Sequence, residues 1–262
     1  GMPRPQVKAK VQEVAKILGI EALLDRPVGG LSGGDRQRVA LGRAIVRDPA
    51  CFLMDEPLGA LDAEFREHMA EELRALHDRM GATTIYVTHD QLEAMQMGDK
   101  IVVMNHGVVE QFGRPQDIYD WPATRFVANF IGSPPMNFLP FHGLLGMGGT
   151  EVTLAGAVQT VPAMREGAAG DLVFGVRPEH VRLSDSAEFK GRAVAVEYLG
   201  TTQIVTFDTA CGTLKARLSS AERVEVGAQT GLSFDPRSVT IFDAQSGHAL
   251  LSEANERVLR HG

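Results

Sequence analysis

Apolar residues at Val7, Val11, Val14 and Leu18 recur at helical spacing and lay one face of a helix over Gln6–Leu18, which Gly19 stops. A short apolar turn, Ile20–Leu24, leads through Pro27, Gly29 and Gly30 to Leu31. Ser32 then stands where a helix cap belongs, and Pro49 closes the helix that follows. The continuous apolar run Cys51–Met54 predicts a strand buried on both faces of a parallel sheet, ended by Pro57, with Cys51 a buried, reduced thiol. Phe65, Met69, Leu73, Leu76 and Met80 mark the next helix, with Asp62 at its N-cap and Gly81 as its stop. A β-branched strand over Thr83–Thr88 and a helix around Leu92–Met97 follow. Lys100–Met104 and Val108–Phe112 then form a hairpin about Asn105, His106 and Gly107. Two short helices, Pro115–Tyr119 and Ala123–Ile131, end the alternation.

Gly132, Ser133, Pro134 and Pro135 read as a linker between a first domain, 1–132, and a second, 133–262. Beyond them, β-rich runs at 151–154, 171–176, 192–199, 203–208, 213–218 and 238–242, broken by glycine and proline, predict small β-barrels. Arg177–His180 interrupt two of these runs, and the acids and bases of this half read as a solvated surface.

A chain of 262 residues with 44% apolar and 23% charged residues is long enough for real cores. Its net charge of -7, with no stripe of clustered Lys and Arg, disfavours a nucleic-acid partner. Cys51 and Cys211 stand far apart, without the spacing of a disulfide framework or zinc site. No apolar run reaches the roughly 18 residues a membrane span needs, and no export signal is expected.

Three sites carry chemistry. The Ser32-Gly33-Gly34 opening of a helix exposes N–H groups at a partially positive terminus, an anion site suited to a terminal phosphate. Asp55 and Glu56 end a strand of an α/β sheet, in the crevice where such sheets bind ligands. There Asp55 suits Mg²⁺ and Glu56 suits the attacking water of a phosphoryl transfer. His89 follows the next strand and enters the same crevice.

Together, L-S-G-G at 31–34, the strand ending in Asp55 and Glu56, G-A-L-D at 59–62 and Y-V-T-H-D at 86–90 resemble the ATP-binding-cassette (ABC) transporter ATPases. The stretches GDKIVVMNHGVVEQFGRPQDIY, FVANFIGSPPMNFLP and GVRPEHV are similar to the importer ATPases of the maltose and glycerol-phosphate type. The resemblance implies an α/β fold, the C-terminal part of a P-loop ATPase domain, followed by an all-β OB-like regulatory (TOBE) domain. It implies ATP and Mg²⁺ as ligands, a second copy of the ATPase and membrane permease subunits as partners, and a peripheral place on the cytoplasmic face of the membrane.

Carried over residue by residue, Ser32, Gly33 and Gly34 would touch the γ-phosphate held by the partner copy, Asp55 would serve Mg²⁺, Glu56 the hydrolytic water and His89 the γ-phosphate. Asp62 would signal between the two sites. Asp35 stands where the family usually has glutamine, so either the phosphate site is weakened or Asp35 points away. No G-x-x-x-x-G-K-[ST] loop occurs in the sequence, so an N-terminally truncated ATPase is expected, with weak or absent ATP binding by this chain alone. The alternative is a non-catalytic dimerisation or regulatory fragment. Apolar sheet surface left exposed in such a fragment would favour self-association.

Overall fold

The computed structural model describes residues 3–260 apart from 48, 60 and 62. The chain divides into two bodies, Gly1–Asp99 and Lys100–Gly262.

The first body opens with helix α1 (Arg4–Ile17), whose inner face carries the buried Val14 and Ala15, while Val7 lies outside at 44% exposure. Helix α2 (Gly33–Ile45) follows, then strand β1 (Cys51–Asp55), helix α3 (Ala63–Met80), strand β2 (Thr83–Val87) and helix α4 (Gln91–Met97). Val14, Leu18 and Ile20 pack with Leu41 and Ile45 of α2, Phe52 of β1, Leu58, and Met69 and Leu73 of α3 into one core. Gly42 belongs to the same contact, because a Cβ there would sit 3.0 Å from Leu18.

Strands β1 and β2 pair in parallel, Cys51 opposite Thr83 through Asp55 opposite Val87. The expectation of a strand buried on both faces is corrected here. Phe52 is buried, but Leu53 is 78% exposed, and Ile85 and Val87 beside it are also exposed. Cys51 is exposed as well, contrary to its reading as a buried thiol. Among the described residues β1 hydrogen-bonds only to β2, and a parallel pair covered on one side leaves alternate side chains in solvent.

The second body starts with the hairpin of β3 (Ile101–Asn105) and β4 (Val108–Gly113), turned by His106 and Gly107 with φ of 47° and 82°. Two positive φ values are what a tight two-residue hairpin turn demands. Helices α5 (Pro115–Asp120) and α6 (Arg125–Phe130) follow. The rest is antiparallel β-structure: β5 (Asn137–Leu145), β6 (Glu151–Leu154), β7 (Ala157–Thr160), β8 (Ala168–Val176), β9 (Val181–Leu183), β10 (Lys190–Tyr198), β11 (Thr202–Thr209), β12 (Gly212–Ser219), β13 (Gln229–Phe234) and β14 (Val239–Asp243), closed by helix α7 (Glu256–Leu259). They form a sheet of order β14-β8-β5, a sheet of order β12-β11-β10-β13-β9 and the β6-β7 hairpin around one shared apolar core. The arrangement is that of small OB-like β-domains.

Residues 132–135 lie within the second body, where Arg217 donates to the Ser133 carbonyl at 2.5 Å. One detail of this half differs from the sequence reading. Arg177 is 2% exposed and belongs to the interior, not to a solvated surface. Its Nε and Nη2 donate to the Tyr119 carbonyl and its Nη1 to the Ile131 carbonyl, while the guanidinium lies 3.9 Å over the Tyr119 ring. Main-chain acceptors and the ring face replace the water that the buried charge gives up. Burial lowers the Arg177 pKa and pushes the Tyr119 hydroxyl up to about 12, with Glu179 accepting that hydroxyl's proton in a hydrogen bond.

Candidate functional site

The helix opening at Ser32 forms as its sequence requires. Ser32 takes extended backbone angles, and its hydroxyl accepts from the Asp35 N–H at 3.1 Å, capping α2. Gly33 has open space where a Cβ would stand, so the first turn presents bare main chain. Asp35 turns onto Arg38, one turn further along the helix. Hydrogen bonding with Ser32 first, then Arg38, holds its carboxyl below the usual carboxylate range.

Parallel pairing of β1 and β2 brings the residues after both strands to the same edge. His89 Nδ1 lies 2.9 Å from Glu56 Oε1, although the two are 33 positions apart in sequence. Both side chains are open to solvent. The hydrogen bond to Glu56, followed by that residue's charge, raises the His89 pKa.

Glu56 itself has a φ of 45°, a region that a non-glycine residue adopts at a cost. Its main chain is fixed on both sides: its N–H donates to the Val87 carbonyl at 2.8 Å, and its own carbonyl accepts from Gly59 N–H at 3.2 Å and from Gln37 Nε2 at 3.0 Å. Asp55, exposed at the end of β1, offers hard carboxylate oxygens. Mg²⁺ takes such donors, commonly one or two from protein with the remainder from water and phosphate, so this residue fits the ion. The expected role of Asp62 lies outside the described residues.

Two contributors escaped the sequence reading. Gln37 reaches Glu56 from α2, and only the fold shows that a polar residue one turn into that helix faces the strand end. Glu93 is buried behind His89, and the Asp90-x-x-Glu93 spacing of a capping box was the available signal.

Family models place an ABC transporter match over residues 4–59, a MalK OB fold domain over 132–181 and a TOBE domain over 174–242. A trehalose/maltose import ATP-binding protein of Thermococcus litoralis is 44% identical across 95% of this chain and 70% of its own length. This chain belongs to the ABC transporter family of ATP-binding proteins. An sn-glycerol-3-phosphate import ATP-binding protein of Jannaschia is 42% identical over 95% of the chain and 70% of its own length. The trehalose import ATP-binding protein of Mycobacterium tuberculosis is 42% identical over 94% of the chain and 71% of its own length. A solved ABC protein, cbiO1 of Clostridium perfringens, is 30% identical, with a TM-score of 0.41 over 45% of this chain and 47% of its own. The expected architecture, an ABC ATPase domain followed by an OB-like TOBE domain, is thus the family's, and ATP is the family's ligand. Among the described residues of this ABC protein, no helix is long and apolar enough to cross a membrane.

Proposed function

We propose that the chain is the ATP-hydrolysing subunit of an importer for a sugar or related solute such as a glycerol phosphate, working as a pair of copies beneath a membrane permease on the cytoplasmic face. The observation that carries this reading is the Glu56–His89 hydrogen bond of 2.9 Å at the ends of two parallel strands. Residues 1–132 would supply the ATPase part and residues 133–262 the regulatory part.

In this reading Glu56 orients the attacking water and accepts its proton, which needs a carboxylate open to solvent; its bond to His89 is made through Oε1. Its exposure and its fixed main chain support that role. His89 holds Glu56 on one side and meets the γ-phosphate on the other, and its raised pKa supplies a donor to an anion. Asp55 holds Mg²⁺, which when bound neutralises charge on the phosphates. Ser32, Gly33 and Gly34 present helix N–H groups to the γ-phosphate of the partner copy's ATP. Asp35, engaged with Arg38, keeps part of its charge away from that phosphate. Asp62 relays between the paired sites.

Proteoliposomes that carry the complete subunit and its permease, supplied with ATP on the subunit's side, test the reading. ATP-dependent accumulation of a labelled sugar or glycerol phosphate is expected. Equal accumulation by permease alone would overturn it.

A further inference from the structure

His89 is 76% exposed, and its ring makes its hydrogen bond to Glu56, a side chain that is itself half in solvent. An exposed ring has little packing to aim it, so its direction depends on the main chain that carries it. That main chain is fixed from the inside by one carboxyl group. Glu93 is 5% exposed, at the third position of α4, where capping-box geometry would let it fold back onto its own helix. Instead, Glu93 Oε2 accepts from the Tyr86 hydroxyl at 3.0 Å and from the Thr88 hydroxyl at 2.8 Å. The Thr88 oxygen in turn accepts from the Asp90 N–H at 3.0 Å. Asp90 caps α4 by accepting from Leu92 N–H at 2.8 Å. Arg66 completes the surround, with Nη1 3.6 Å from Asp90 and Nε 3.8 Å from Glu93.

We propose that Glu93 is a positioning residue for His89: it ties Tyr86 and Thr88 before the histidine, and through Thr88 the Asp90 N–H after it, to one buried acceptor, so that the exposed ring meets Glu56. The proposal rests on the functional reading of His89 only for its consequence in catalysis. Burial, with Glu93 adjacent, pushes the Tyr86 hydroxyl far above its ordinary value, which keeps it protonated as the donor this arrangement needs.

The distinguishing feature is the acceptor, not the charge. Glu93→Gln retains an oxygen that both hydroxyls can reach, whereas Glu93→Ala removes it. The test is the NMR order parameter of the His89 amide in the full chain, without nucleotide. Wild type and Glu93→Gln are expected near the rigid-backbone value of about 0.85, and Glu93→Ala below about 0.6. A rigid His89 in folded Glu93→Ala, or equal loosening in Glu93→Gln and Glu93→Ala, would overturn the proposal. If Glu93→Ala does not fold, the Tyr86→Phe/Thr88→Val double variant removes the donors in place of the acceptor. It is expected to loosen His89 similarly, and a rigid His89 there would equally overturn the proposal. Hydrolysis by the complete ATPase separates the two readings: with His89 catalytic, His89→Ala and Glu93→Ala together lower kcat no further than His89→Ala alone. Unchanged kcat in His89→Ala would refute the functional reading of His89 and leave the order-parameter result to decide on Glu93.

Discussion

The side-chain amide of Gln37 donates to the main-chain carbonyl of Glu56 at 3.0 Å, joining the helix that opens with Ser32 to the residue proposed to handle water. Glu56 occupies a left-handed conformation, so each main-chain bond that holds it there counts. Gln37→Ala is expected to lower kcat for ATP hydrolysis by the complete subunit about tenfold, a barrier increase of roughly 1.4 kcal/mol. Stability should change by no more than ~1 kcal/mol, because the bond is exposed. Steady-state kinetics alongside denaturant unfolding separates the two effects.

The Glu56–His89 contact depends on pH with a definite sign. The His89 pKa is raised in the fold, mainly by its hydrogen bond to Glu56. The stabilisation is therefore fully present below the ordinary histidine pKa of about 6.5 and is lost as pH rises through the raised value. Histidine titration by NMR should show the His89 pKa lower in Glu56→Gln than in wild type, and an unchanged value would contradict this attribution.

Arg177 supplies three donated hydrogen bonds to main-chain oxygens in the interior of the second body. Arg177→Ala strands the Tyr119 and Ile131 carbonyls and is expected to cost about 2–4 kcal/mol, with Arg177→Lys in between. Urea unfolding followed by the fluorescence of Trp121, the single tryptophan, reads this body directly.

Gly231 lies where a Cβ would stand 2.1 Å from the Ser184 carbonyl oxygen and 2.7 Å from that of Ala187. Main-chain atoms cannot swing aside as a side chain can, so Gly231→Ala must shift β13 against its neighbours. A loss of about 1–3 kcal/mol is expected in the same unfolding measurement.

Local signals made the first body legible. The Ser32 cap, the helical spacing of Val14 and Leu18, and the β-branched run after Thr83 each appear where their chemistry placed them. Burial of β1 was not legible, because an apolar run reports what a strand prefers and not how many neighbours cover it. In the second body, strands β5, β7, β9 and β13 escaped the reading; Pro140, Gly143 and Gly231 interrupt two of them, and β9 is only 3 residues long. The interior position of Arg177 was hidden for a related reason. Its acceptors are the carbonyls of Tyr119 and Ile131, and main-chain oxygens leave no trace in sequence. In the candidate site, Asp55, Glu56 and His89 could be picked out because strand ends announce themselves, whereas Gln37 and Glu93 act through contacts that only folding creates.

The measurement that bears most directly on the central claim is ATP hydrolysis by the complete subunit with its permease, wild type against Glu56→Gln. General-base loss predicts a fall of about 10²–10⁴-fold in kcat with ATP binding retained. Hydrolysis at the wild-type rate in Glu56→Gln would contradict it.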